Sequence, residues 1–162
     1  MTRGDIVTEA LRGWRAWQVL DGRDGPVLAS WWVNALWPAR RPLESRCVMH
    51  GPHPRVHHAC GIHAFSTREQ ALEYLDRSEG ERPLLFVRRP EHALGLVVGR
   101  VSGWGRAVTH TRGWRSQFAY PHDLCVLRGG RALARALADR YAVDASFSSP
   151  NVRMPVPPPR SP

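Results

Sequence analysis

Hydrophobic and polar positions alternate first between Gly13 and Leu20, where Trp14-Arg15-Ala16-Trp17-Gln18-Val19 reads as a half-buried strand. The run Asp21-Gly22-Arg23-Asp24-Gly25-Pro26 breaks it, and Val27-Leu28-Ala29-Ser30 is expected to return as the second arm of a hairpin. After a stretch crowded with Trp31, Trp32 and Trp37, Gly61-Ile62-His63-Ala64-Phe65 alternates again, with Ile62 and Ala64 on one face. Ser66-Thr67-Arg68-Glu69 resembles a capping box, and Ala71, Leu72 and Leu75 follow at helical spacing, which predicts a helix up to about Arg77. Residues 84–87 read as a buried strand. Residues 94–101, 106–112, 114–120 and 124–127 read as a sheet, with Gly103, Gly105 and Gly113 at its bends. Residues 131–141 are rich in Ala and Leu and predict a second helix, with Leu133, Leu137 and Tyr141 on its buried face.

These elements predict one α+β domain over residues 1–148: a curved, mainly antiparallel sheet or small open barrel, two helices outside it and a metal-clasped loop. Residues 149–162 form a proline-dominated tail, expected to be extended and either inert or a docking peptide. The three clustered tryptophans are expected to supply core or cover, with a ligand cage as the alternative.

Composition narrows the class. The 162 residues, 43% hydrophobic and 23% charged, suit a globular domain. The longest apolar runs fall far short of a membrane span, and the first residues lack a signal-type apolar region, so a cytoplasmic protein without membrane association is expected. The formal charge of +9 points toward an anionic partner, nucleic acid first. All 23 basic residues are arginine, a bias that codon usage alone can produce. Their distribution says more than their number, because residues 94–128 carry five arginines against the single acid Asp123.

The densest chemistry lies between Cys47 and His63, where two of the three cysteines and five of the eight histidines fall within CVMHGPHPRVHHACGIH. Zinc takes thiolate and imidazole ligands in a tetrahedron, commonly as two closely spaced pairs each held by a tight turn. Cys47 and His50 have knuckle spacing and are followed by Gly51-Pro52. Cys60 can act with His58 or with His63, and His58 is preferred because His63 falls within the alternating strand. The expected ligands are therefore Cys47, His50, His58 and Cys60, with His53, His57 and His63 in reserve. The alternatives are a histidine-rich loop without metal and a Cys47–Cys60 disulfide, which an intracellular chain would keep reduced. The segment contains no Asp or Glu, and the chain has no HExxH motif, so a structural ion is expected rather than a catalytic one.

For nucleic acid, the expected face comprises Arg100, Arg106, Arg112 and Arg115 on phosphates, Trp104 or Trp114 stacked on a base, and His110 as an anion contact. A protein-interaction module using the tryptophan segment and the tail is the second expectation. An enzyme built on His110 and the arginines is the third. His122, Asp123 and Cys125 lie close together, but the apolar neighbours of Cys125 predict an inert buried thiol.

Taken together, these blocks resemble a family of small, mostly uncharacterised actinobacterial proteins with a zinc-type site. That family combines Trp-Pro, an isolated Cys, His-x-Ala-Pro, Cys-x-Cys-Gly-Ile-Tyr-Ala and a later Gly-x-Val-x-x-Trp-Gly-x-Val-x-x-His-x-x-Gly-x-Arg-Ala block. The corresponding residues are Trp37-Pro38, Cys47, His50-Gly51-Pro52 and His58-Ala59-Cys60-Gly61-Ile62-His63-Ala64. The later block corresponds to Gly99-Arg100-Val101, Trp104-Gly105, Val108, His110, Gly113 and Arg115. His58 stands at the first Cys of Cys-x-Cys, which keeps a zinc-competent atom, and His63 stands at the Tyr. The resemblance implies the metal site and the fold class and carries no activity with it.

Overall fold

A computed structural model describes residues 5–31, 35–51, 54–80 and 93–148. The predicted strand over 84–87, Trp32, His53 and the proline tail lie outside the described residues.

Among the described residues, eight strands form one mixed, mostly antiparallel sheet, accompanied by two helices. The first strand, β1 (Asp5–Gly22), turns at Arg23-Asp24 into β2 (Gly25–Ala29), with Gln18 opposite Ala29 and Gly22 opposite Gly25. The short β3 (Leu43–Glu44) and β4 (Ile62–Phe65) flank the histidine-rich segment, and both pair with β6 (Gly113–Pro121). The long β5 (Gly95–His110) pairs with β1 on one side and β6 on the other. Because β4 also touches β1 through Trp14 and Phe65, strands β1, β4, β6 and β5 close into an irregular ring.

The remaining elements are α1 (Arg68–Gly80), β7 (Asp123–Arg128), α2 (Gly130–Tyr141) and β8 (Asp144–Phe147). Strands β7 and β8 are parallel, so the chain needs a crossover, and α2 supplies it. The helix-capping signal sits one residue later than the sequence pattern suggested: Thr67 N donates to Gln70 Oε1 and Gln70 N to Thr67 Oγ1, each at 3.3 Å.

Strands 94–101 and 106–112, expected to be separate, are one strand with a bulge between Trp104 and Ala107. Gly105 adopts φ 79° at that bulge. Gly103 serves a different purpose, since a Cβ there would lie 2.3 Å from the Trp114 ring. The core gathers Trp17, Trp37, Trp114, Leu137 and Tyr141 in one buried cluster. Trp17 and Trp37 meet edge to face at 5.3 Å, so Trp37 is a core residue rather than part of an open cage. The Tyr141 hydroxyl donates to Trp37 O at 2.8 Å and accepts from Leu28 N at 2.9 Å, tying α2 to the β2 region.

Candidate metal centre

Two arms of irregular chain meet between β3 and β4. In the first, Cys47 N donates to Gly51 O at 2.9 Å and Gly51 N returns to Cys47 O at 2.8 Å, which closes a tight turn. Gly51 has φ 71°, a left-handed conformation that glycine adopts without steric cost. The turn brings Cys47 Sγ to 3.5 Å from His50 Nδ1. In the second arm His58 N donates to Arg55 O at 3.2 Å, and His58 Nδ1 lies 3.8 Å from Cys47 Sγ. Gly61, at φ 107°, then redirects the chain into β4.

The ligating atoms of Cys47, His50, His58 and Cys60 all lie within 4.8 Å of one another. A tetrahedron with zinc-type bonds of about 2.0–2.3 Å has edges of about 3.5 Å, the scale of the two separations from Cys47 Sγ. The cluster is a Cys2His2 set that can hold a metal ion. Cys60 is buried and the other three are half-buried, while Cys47 and Cys60 remain free thiols rather than a disulfide.

The clasp rests on Arg115, in β6. This residue is 8% exposed, and its Nη1 donates to Cys60 O at 2.8 Å, to Arg55 O at 3.2 Å and to His58 O. One guanidinium thereby collects three carbonyls of the second arm. Arg115 is among the residues expected on a phosphate-binding face. The structure corrects this, because β4 and the loop cover the side chain and its donors face the loop backbone. The signal lay in strand pairing, which sets His63 opposite Arg115, and pairing of that kind is not visible in a single strand's pattern.

His63 stays outside the cluster. Its Nε2 lies 3.0 Å from Ala59 O, so that nitrogen is the protonated donor in the neutral ring. Desolvation lowers the His63 pKa, outweighing its bond to Ala59, and the charges of Arg15 and Arg115 and a contribution from His110 lower it further. His57 is exposed and likewise outside the cluster.

No family model, curated protein or solved structure matches this chain.

The expected nucleic-acid residues are divided by the fold. Trp114 is 4% exposed and donates from Nε1 to Arg12 O at 3.0 Å, so it is core and not a stacking platform, because a ring satisfied at both its apolar body and its N–H has no open face. Arg100 pairs with Asp123 through both backbone and side chain. Partial burial raises the Asp123 carboxyl, but the Arg100 hydrogen bonds and charge outweigh it and leave the group below its ordinary range. Arg112 pairs with Glu73 at 3.2 Å. Trp104 is half-buried and stacks on Phe118 at 6.2 Å, while Arg106 and His110 are exposed. Desolvation and then Arg115 lower the His110 pKa.

Cys125 packs beside Ala71, Leu72 and Val98, and His122 is exposed next to Asp123. Among the described residues, no helix is long and apolar enough to cross a membrane.

Proposed function

We propose that this chain is a zinc-stabilised binding module in which the ion has a structural role. The observation that carries this reading is the convergence of four sulfur and nitrogen ligands from two turns. Zinc suits that set, because borderline-soft N and S ligands in a four-coordinate arrangement are its usual structural environment and every coordination position is taken by protein. When bound, the ion cross-links the two arms, and Arg115 fixes the backbone of the second arm from below. On this reading the chain belongs with the actinobacterial proteins it resembles, His58 replacing a cysteine as ligand.

Nucleic acid, the partner suggested by the arginine and tryptophan residues of the sheet face, would have to use what remains of that face: Trp104, Arg106, His110 and Arg112. That is the weaker reading, because Arg112 is already paired and Trp104 already lies against Phe118. The binding role fits better in the pocket that the metal loop helps to wall, which is lined by Cys47 and Cys60 among others.

Hydrogen exchange with and without a chelator tests the structural role. Residues 45–61 should lose protection when the metal is removed, while the β1–β5 pairing keeps it. Equal protection in both states would contradict a structural ion.

A further inference from the structure

An open pocket of about 960 Å³ lies between the metal loop and the sheet. Its polar lining includes Arg15, Ser30, Arg41, Glu44 and Arg46, so three guanidinium groups face one carboxylate among the described lining residues. Leu43, Ile62 and Phe65 contribute apolar wall.

Arg15 projects from β1 with no ion pair among the described residues. A guanidinium offers five N–H donors. Arg15 Nη1 donates to His63 O and Nη2 to Ser30 Oγ at 3.0 Å, and its Nε is enclosed with no hydrogen-bond partner. The cation lies over the Trp37 ring at 5.3 Å and, among the described residues, meets no carboxylate. Burial lowers its pKa to about 10, with the electrostatic interaction with Tyr74 opposing the shift.

Ser30 adds to the imbalance. A hydroxyl has two acceptor lone pairs and one proton. Ser30 Oγ accepts from Arg15 Nη2 and from Trp37 Nε1, both at 3.0 Å, so its acceptor capacity is filled, and among the described residues its proton meets no acceptor. Ser30 is 2% exposed, which makes an unmet donor there costly. Arg15 and Ser30 therefore bring hydrogen-bond donors to the pocket wall with no carboxylate paired to them among the described residues.

We propose that this pocket binds the oxyanion group of a small organic acid, carboxylate or phosphate, on Arg15 and Ser30, with the apolar part of the ligand against Leu43, Ile62 and Phe65. The inference deepens the binding-module reading by giving the module a ligand class. It does not rest on the metal, since neither Arg15 nor Ser30 is a ligand of the cluster. Cys47 and Cys60 nonetheless line the same pocket, so an ordered metal loop completes its wall.

Calorimetric titration of the full chain with benzoate, phenyl phosphate and the neutral isostere benzamide tests it, with metal content measured on the same sample. Benzoate or phenyl phosphate should bind with a dissociation constant of about 1 mM or tighter, and benzamide should bind at least about tenfold more weakly. Whichever anion binds more tightly identifies the headgroup. Arg15→Gln should weaken the anion by about ten- to a hundredfold. Should that variant fail to fold, nitrogen-15 NMR of the wild type replaces it, and the Arg15 Nε–H resonance should move with benzoate and stay with benzamide. Equal binding of benzoate and benzamide, no binding of either anion, or anion binding that leaves Arg15 Nε–H unmoved would overturn the proposal. Anion binding by protein that contains no metal would sink the metal reading and leave this one standing.

Discussion

Arg115 Nη1 donates to the carbonyl of Cys60 across 2.8 Å, joining a central strand of the ring to the last residue of the Cys2His2 cluster. The same nitrogen also serves Arg55 and His58, so removing it strands several loop carbonyls at once. Arg115→Ala should cost on the order of 1–3 kcal/mol in chemical denaturation. It should also weaken metal binding by about ten- to a hundredfold in a competition titration, the usual effect of losing a group that orients ligands. An unchanged metal affinity would mean that the loop is preorganised without it.

Replacing the two tryptophans of the later block separates core from surface. Trp114→Ala should cost about 3–5 kcal/mol, because it empties a core site and leaves Arg12 O without its donor. Trp104→Ala should cost about 1 kcal/mol, the value of a half-buried aromatic pair. Urea melts of both variants check this, and similar losses would contradict the difference in burial.

Much of this architecture was legible because burial follows the alternation of side chains. Ile62 and Ala64 are buried as the pattern required, and the β1–β2 hairpin turns at Arg23-Asp24. The convergence of Cys47, His50, His58 and Cys60 could be anticipated because knuckle spacing is local. What could not be read depended on partners distant in sequence. Arg115 and Trp114 are adjacent and both buried, one under the loop and one in the core, so an alternation rule that sends one of them to solvent fails. The parallel strand β8 was missed because its pattern, half-buried and exposed in turn, carries little apolar signal. Gly103 looked like a bend because the Trp114 ring that requires it lies across the sheet.

The arginine-rich face makes a quantitative prediction for nucleic acid. With Arg115 buried, Arg100 paired to Asp123 and Arg112 paired to Glu73, phosphate contacts on the expected face come from Arg106 and, only where the Glu73 pair is given up, from Arg112. Any oligonucleotide binding should therefore show a log–log salt slope of magnitude no greater than about 2, which Arg106→Ala/Arg112→Ala abolishes. A slope of about 4 or more in fluorescence-anisotropy titrations would restore the larger face.

His63 sets a pH dependence. Its folded-state pKa lies below the ordinary 6.5, first through desolvation, so between those two values the unfolded chain binds more protons at this site. Its contribution to stability should be intact above pH 6.5 and fall as pH drops through 6.5 to the folded pKa. His63→Gln should flatten that part of the stability profile, measured by thermal melts on protein whose metal content is held constant. Histidine NMR should find the His63 midpoint below the ordinary imidazole value, and a midpoint at or above that value would contradict the environment described.

The central claim is the metal cluster, and elemental analysis of protein purified without chelator tests it most directly. The wild type should carry about one zinc per chain, and Cys47→Ala/Cys60→Ala should carry almost none, because two ligands cannot retain an ion that four hold. A wild-type content near zero, or an unchanged content in the double variant, would contradict the account.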